Sequence, residues 1–156
     1  MDVALGDATL GEIKAVTGHE IGHYALGHMW YSVALLYGLI FSALFLAQLL
    51  FTSVAKLLGA SGDITNPTTL PVLVFILAAL MSLAQPLNNA VTRMNESAAD
   101  RYSLDTVKLP DALASALVKT AEYRNPRLGA LQEWLFYTHP SVERRVKMAM
   151  DWKAEH

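Results

Sequence analysis

His19-Glu20-Ile21-Gly22-His23 places two imidazoles and a carboxylate within five residues. In a helix, positions four apart are turned by about 400° and separated by roughly 6 Å along the axis. His19 and His23 therefore share one face and can hold one metal ion between them. Glu20 is within reach of a water held at that ion. This is the spacing of a zinc hydrolase. The chain has no cysteine. Thiolate ligation and disulfides are thus excluded, and a metal must be bound by histidine and carboxylate.

A catalytic zinc commonly takes three protein ligands and keeps a fourth position open. The best candidate for the third is Glu96, in Asn95-Glu96-Ser97-Ala98-Ala99-Asp100. Two uncharged stretches separate it from His23. A chain that crosses a bilayer twice over those stretches returns Glu96 to the side of the histidines. Asp100 lies four residues further on, so it shares the helical face of Glu96. It is placed to accept the N–H that a ligand histidine leaves free. The plainer alternative for Glu96 and Asp100 is a solvated, charged helix start.

The 156 residues suit one domain. They are 53% hydrophobic and 17% charged, with a mean hydropathy of +0.30. Soluble domains carry about 25% charged residues, so the deficit points to lipid contact. The net charge of −2 gives no reason to expect a nucleic-acid partner. Met1 to His28 is punctuated by polar residues and does not resemble a signal peptide.

Mainly all-α architecture is expected. Thr9-Leu10-Gly11-Glu12 reads as a capping box, opening a helix over 9–29 in which Ile13, Val16, Ile21 and Ala25 recur at helical spacing. Gly18, Gly22 and Gly27 each cost about 1 kcal/mol in a helix, which is tolerable where another helix packs closely. Asp2 to Leu5 could form a short N-terminal strand. Met29 to Ala55 carries no charge and exceeds the roughly 20 residues that span a bilayer. Ile64 to Thr92 is likewise uncharged, with Pro86 expected to kink the helix or mark its exit from lipid. These stretches predict a transmembrane hairpin, 30–58 and 69–92, around the turn-rich Gly59 to Pro67. A buried helical pair in a soluble protein is the alternative.

Beyond it, 93–156 reads as a third-ligand helix followed by shorter ones. Pro110 opens a helix to about Tyr123, Asn125 to Gly129 is a loop, Leu131 to Tyr137 is a short helix, and Pro140 starts the last. That last helix stripes Val142, Val146 and Met150 along one side. Lys56 is the only basic residue near the hairpin turn, and the other eleven of the 12 Lys and Arg lie on the side of the two histidines. By the positive-inside rule the site faces the cytoplasm.

Three motifs in order resemble those of the integral-membrane zinc metalloproteases of the CAAX prenyl endopeptidase group, with the bacterial heat-shock membrane proteases as relatives. The first is Gly18-His19-Glu20-Ile21-Gly22-His23 followed by Gly27-His28. The second is Asn89, Thr92-Arg93 and Glu96-Ser97-Ala98-Ala99-Asp100. The third is Thr138-His139-Pro140-Ser141 with Arg145 six residues after the histidine. The likeness spans about residues 1 to 150.

It implies a zincin-like metalloendopeptidase of the gluzincin type, with one zinc per chain. His19, His23 and Glu96 would bind the metal, and Glu20 would be the general base. His139 and Arg145 would lie near the site and hold substrate backbone or stabilise an oxyanion. Asp100, Arg93 and Asn89 would support the ligands. The alternative for His139 is a structural residue ahead of a Pro-initiated helix, and Arg144 is the neighbouring alternative for Arg145. His28 is half a helical turn from His19 and reads as a packing residue.

Substrates would be peptides of membrane-associated, lipidated or misfolded membrane proteins. The setting would be the bilayer of a bacterial inner membrane, or the endoplasmic reticulum in a eukaryote. A membrane scaffold that retains the motif without catalysis is the non-enzymatic alternative. CAAX-type members carry several membrane helices before the first motif, whereas 18 residues precede His19 here. The chain therefore reads as one catalytic domain from the C-terminal part of a longer protein, or as a reduced member.

Overall fold

The computed structural model describes residues 7–120 and 129–156. Six α-helices and one 3-10 turn occur among them, with no strand. They are α1 (Leu10–Ala25), α2 (His28–Leu57), α3 (Leu70–Val107), α4 (Pro110–Thr120), α5 (Ala130–Phe136) and α6 (Val142–Glu155), and the 3-10 turn is Pro67–Thr69. The expected strand at Asp2 to Leu5, the stretch to Tyr123 and the loop from Asn125 lie outside the described residues. The helices divide into two compact units, Met1–Ser32 with Asn89–His156, and Val33–Asn88.

In the first unit, α1 starts as its sequence dictates. The Glu12 N–H donates to Thr9 Oγ1 at 3.2 Å, and the Thr9 N–H donates to Glu12 Oε2 at 2.7 Å. Glu12 is itself buried and ties α1 to α4. Its carboxylate accepts from Ser115 Oγ at 2.6 Å and from Lys119 Nζ at 2.8 Å. The packed face of α1 is made of small or polar residues: Glu12, Ala15, Gly18, His19 and Gly22. The apolar series read from the sequence is not that face, because Ile13 and Ile21 are exposed. Close approach explains the difference. A Cβ on Gly22 would sit 3.1 Å from Tyr102 Cβ and 3.2 Å from Ala99 Cα, so a side chain there would push α3 outward by a few tenths of an ångström. Ser103 Oγ seals the contact by donating to the Ala15 carbonyl at 2.7 Å.

Ala15, Leu104, Leu113, Leu117, Ala149 and Trp152 then form one core from α1, α3, α4 and α6. Val142, Val146 and Met150 pack against it, as their stripe suggested. Trp152 Nε1 donates to Asp105 at 2.7 Å, which gives the buried indole its polar partner.

The second unit is a helical pair. Ala47, Phe51 and Ala55 of α2 meet Val72 and Ile76 of α3. The connection is closed by Thr69, whose hydroxyl donates to the carbonyls of Asp63 and Asn66. Outward-facing Phe41, Phe45, Leu49, Phe75 and Leu83 are more than half exposed. Both helices are long and apolar enough to cross a bilayer, and their bare apolar surface suits lipid better than water.

Two boundaries differ from expectation. The first helix ends at Ala25, and Gly27, at φ +69°, breaks the chain before His28 begins α2. Conversely, α3 does not stop near Thr92. It runs through Pro86 to Val107 as one helix, so the apolar stretch and the segment bearing Glu96 are continuous.

Glu12 generates a prediction. The Lys119 ammonium and the Ser115 hydroxyl hold its carboxyl at a pKa of about 2, below the ordinary 4.5. A depressed folded-state pKa stabilises above the unfolded value, and that stability is lost as pH falls from about 4.5 through about 2. Acid titration followed by tryptophan fluorescence should show Glu12→Gln flattening the pH dependence in that window. An unchanged acid limb would contradict this.

Candidate metal centre

Four positions of α3 converge on the first unit because they fall at i, i+4, i+7 and i+11: Asn89, Arg93, Glu96 and Asp100. The close packing of α1 at Gly22 brings His19 and His23 against the last two. His19 Nε2 is 3.5 Å from Glu96 Oε2, His23 Nε2 is 3.3 Å from Glu96 Oε1, and the two imidazole nitrogens are 3.1 Å apart. One ligand atom from each of the three residues lies within 4.8 Å of the others.

The donor set fits a zinc ion. With bonds of about 2.0–2.1 Å, the edges of a tetrahedron around zinc are roughly 3.3 Å; the imidazole nitrogens are 3.1 Å apart and each lies 3.3–3.5 Å from one or other of the two Glu96 oxygens. Two neutral nitrogens and one carboxylate are the ligand types of a catalytic zinc, and they leave one position for water.

Asp100, fully buried, accepts from His19 Nδ1 at 2.8 Å. That bond fixes the ring so that Nε2 turns toward Glu96. Burial presses the His19 imidazole toward neutrality, but the hydrogen bonds to Asp100 and Glu96 prevail and raise its pKa to about 9. A metal taken up at this nitrogen would therefore displace a proton.

Arg145 completes the chain of contacts. Its Nε donates to Asp100 Oδ2 at 2.6 Å and its Nη2 to Asp100 Oδ1 at 2.7 Å, with Glu96 3.6 Å away. Burial alone would lower the guanidinium's pKa, but the Asp100 bonds carry it upward. Such a two-pronged pair is the strong form of a charge-assisted hydrogen bond. Arg145 is buried, and these hydrogen bonds run to Asp100. Arg144 serves elsewhere, donating to Glu133 at 2.6 Å.

His139 reaches the centre from the turn after α5, its Nε2 3.4 Å from Glu96 Oε2. Arg93 and Asn89 hold that turn. Arg93 Nη1 donates to the carbonyls of Glu133 and Tyr137, and Asn89 Nδ2 donates to that of Leu135. Glu133, unread in the sequence, is buried beneath it and accepts the Ser141 N–H. Its signal was weak, being one acidic residue in a short amphipathic helix.

Glu20 is exposed. It lines a cleft of about 680 Å³ with His23, Glu96, Tyr24, Trp30 and Asn95. His28 is also there, buried, with Nδ1 3.0 Å from His23 Nδ1. The half-turn expectation assumed an unbroken helix, and Gly27 breaks it.

A helix-borne His-x-x-x-His pair with a glutamate from a later helix defines a metallopeptidase type of centre. The sequence matches the model of peptidase family M48 over residues 4–153, and the chain belongs to that family. It is 35% identical to a protease HtpX homolog of Thermoplasma acidophilum, with 91% of this chain and 47% of the relative covered. Identity is 26% to a protease HtpX homolog of Caldanaerobacter subterraneus, covering 87% of this chain and 52% of that one. A Bacillus subtilis protein named uncharacterized metalloprotease YhfN is 24% identical, with 94% and 37% covered. The chain thus spans about half the length, or less, of these relatives.

Removing one member of a buried ion pair costs about 3–5 kcal/mol. Asp100→Asn leaves the Arg145 guanidinium with only the more distant Glu96, which softens the loss. Denaturant titration of the metal-free protein should give a decrease near the lower end, about 3 kcal/mol. A decrease below about 1 kcal/mol, the range of surface pairs, would contradict a buried ionic link.

Proposed function

We propose that this chain is the catalytic domain of a membrane-embedded zinc metalloendopeptidase of the gluzincin type. The observation that carries the reading is the convergence of His19 Nε2, His23 Nε2 and the Glu96 carboxylate, with Glu20 on the adjoining cleft. His19, His23 and Glu96 hold one zinc ion. When bound, zinc supplies Lewis acidity that brings the pKa of a neighbouring water to about 7 and polarises the scissile carbonyl.

Glu20 takes the proton of the attacking water and delivers it to the leaving amine. His139 stands beside Glu96 and donates toward the oxygen that becomes negative as the carbonyl is attacked. Arg145 acts through others. It fixes Asp100, which fixes His19, and is a positioning residue rather than a substrate contact. Asn89 and Arg93 set the turn that carries His139.

The substrates are peptide segments of membrane proteins or of lipidated, membrane-associated proteins. Two apolar helices in the same chain support this, and the relatives named protease HtpX homolog support proteolysis. Misfolded membrane proteins and CAAX-type lipidated ends both fall in that class. The clustering of Lys and Arg away from the hairpin turn supports a cytoplasmic site, in a bacterial inner membrane by preference.

Two variants test the reading in detergent-solubilised protein. Glu20→Gln should keep full zinc by elemental analysis and lose at least 100-fold in peptide hydrolysis, the lower end for general acid–base catalysis. Normal turnover by this variant would remove the mechanism. Glu96→Ala should come through dialysis with little zinc, and full retention would remove Glu96 from the ligand set. Zinc in the unmodified protein without chelator-sensitive proteolysis would point instead to a scaffold.

A further inference from the structure

We infer that His28 is a positioning residue for the metal centre, the hydrogen-bond acceptor that sets the tautomer and orientation of His23. The inference rests on the proposed binding of zinc by His19, His23 and Glu96. Each imidazole that offers Nε2 to a metal carries its proton on Nδ1 and needs an acceptor there. For His19 that acceptor is Asp100. For His23, Nδ1 meets His28 Nδ1 at 3.0 Å. Two N–H groups cannot face each other at that distance, and two lone pairs would repel, so one ring donates and the other accepts. His23 Nε2 faces Glu96 Oε1 at 3.3 Å and His19 Nε2 at 3.1 Å. With that lone pair given to a metal, His23 holds its proton on Nδ1 and donates. His28 accepts at Nδ1 and keeps its own proton on Nε2.

The placement is built by the backbone. Gly27, at φ +69°, ends the first helix's path and starts α2 at His28. His28 is 7% exposed, and its ring meets the His23 ring edge to face, with centroids 5.0 Å apart at 75°. Had α1 continued unbroken, His28 would have pointed half a turn away from His19.

Substitutions separate acceptor from volume. His28→Phe keeps an aromatic ring and removes the acceptor. His28→Asn puts a carboxamide oxygen where Nδ1 stands, and His28→Gln extends one to the Nε2 position instead. Zinc affinity of the full chain in detergent is read by competition with a chromophoric chelator, and kcat and KM are read on a quenched peptide. His28→Phe and His28→Gln should bind zinc about 10–100-fold more weakly, the usual loss on removing such a partner. His28→Asn should recover most of that affinity. In the variants once saturated with zinc, kcat should fall more than KM rises. Wild-type zinc affinity in His28→Phe would overturn the inference.

Nitrogen-15 spectra of the zinc-loaded, histidine-labelled wild-type protein give a second measurement that needs no variant. His28 should carry its proton on Nε2, and a proton on its Nδ1 would overturn the inference. If the unmodified protein binds no zinc, the underlying assignment falls and this one with it. If it binds zinc through His19 and Glu96 while His28→Phe is silent, this one alone falls.

Discussion

The bond from Arg145 to Asp100 is the constraint on which the centre depends. Two charged groups have been taken out of water, and each is tolerable only because the other is there. The pair reaches outward in both directions. Asp100 also holds His19, and Arg145 stands near Glu96. Hence the last helix, the long third helix and the first helix are joined at one buried point. Shifting any of them strains the pair, so His19 and Glu96 inherit its rigidity. The same arrangement explains why a side chain from the last motif, which could have reached substrate, faces inward.

A second constraint is steric. The helices that bring His19, His23 and Glu96 together approach more closely than large apolar side chains would allow at Gly22. The first helix answers with Ala15, Gly18 and Gly22 on its packed side and leaves Ile13 and Ile21 outside. Glycine costs helix stability, but here it allows the backbone of Ala99 to lie against the first helix. Histidine rings then span the remaining gap to Glu96. Hydrophobic burial is supplied elsewhere, by Leu104, Leu113, Leu117 and Trp152.

The legible parts of the molecule were those governed by short-range rules. Histidine spacing, the Thr9 capping box, the length of the uncharged stretches and the four-residue step from Glu96 to Asp100 all depend on helix geometry alone. Three features depended on tertiary context. Ile13, Val16, Ile21 and Ala25 have helical spacing, but spacing does not say which face packs. Pro86 forfeits one backbone bond, yet helix continues on both sides of it, so the boundary expected near Thr92 is absent. His28 is buried, as a packing residue should be, but its direction could not be read because Gly27 serves equally well as a costly helical residue or as a left-handed break. Arg145 was found by its motif, while its direction was set by a carboxylate forty-five residues away.

The continuity of the third helix has a consequence for how such a chain can change length. Asn89, Arg93, Glu96 and Asp100 form a single stripe on one rigid rod. Inserting or deleting one residue between Asn89 and Asp100 would turn everything beyond it by about 100°. Glu96 and the residues that hold the turn carrying His139 would then no longer face the same neighbours. The segment from Leu58 to Asn66, whose ends are tied by local hydrogen bonds, carries no such phase and can gain or lose residues cheaply. Length variation among homologous chains should therefore gather in that turn and be purged from residues 89–100, with substitutions there being far commoner than gaps.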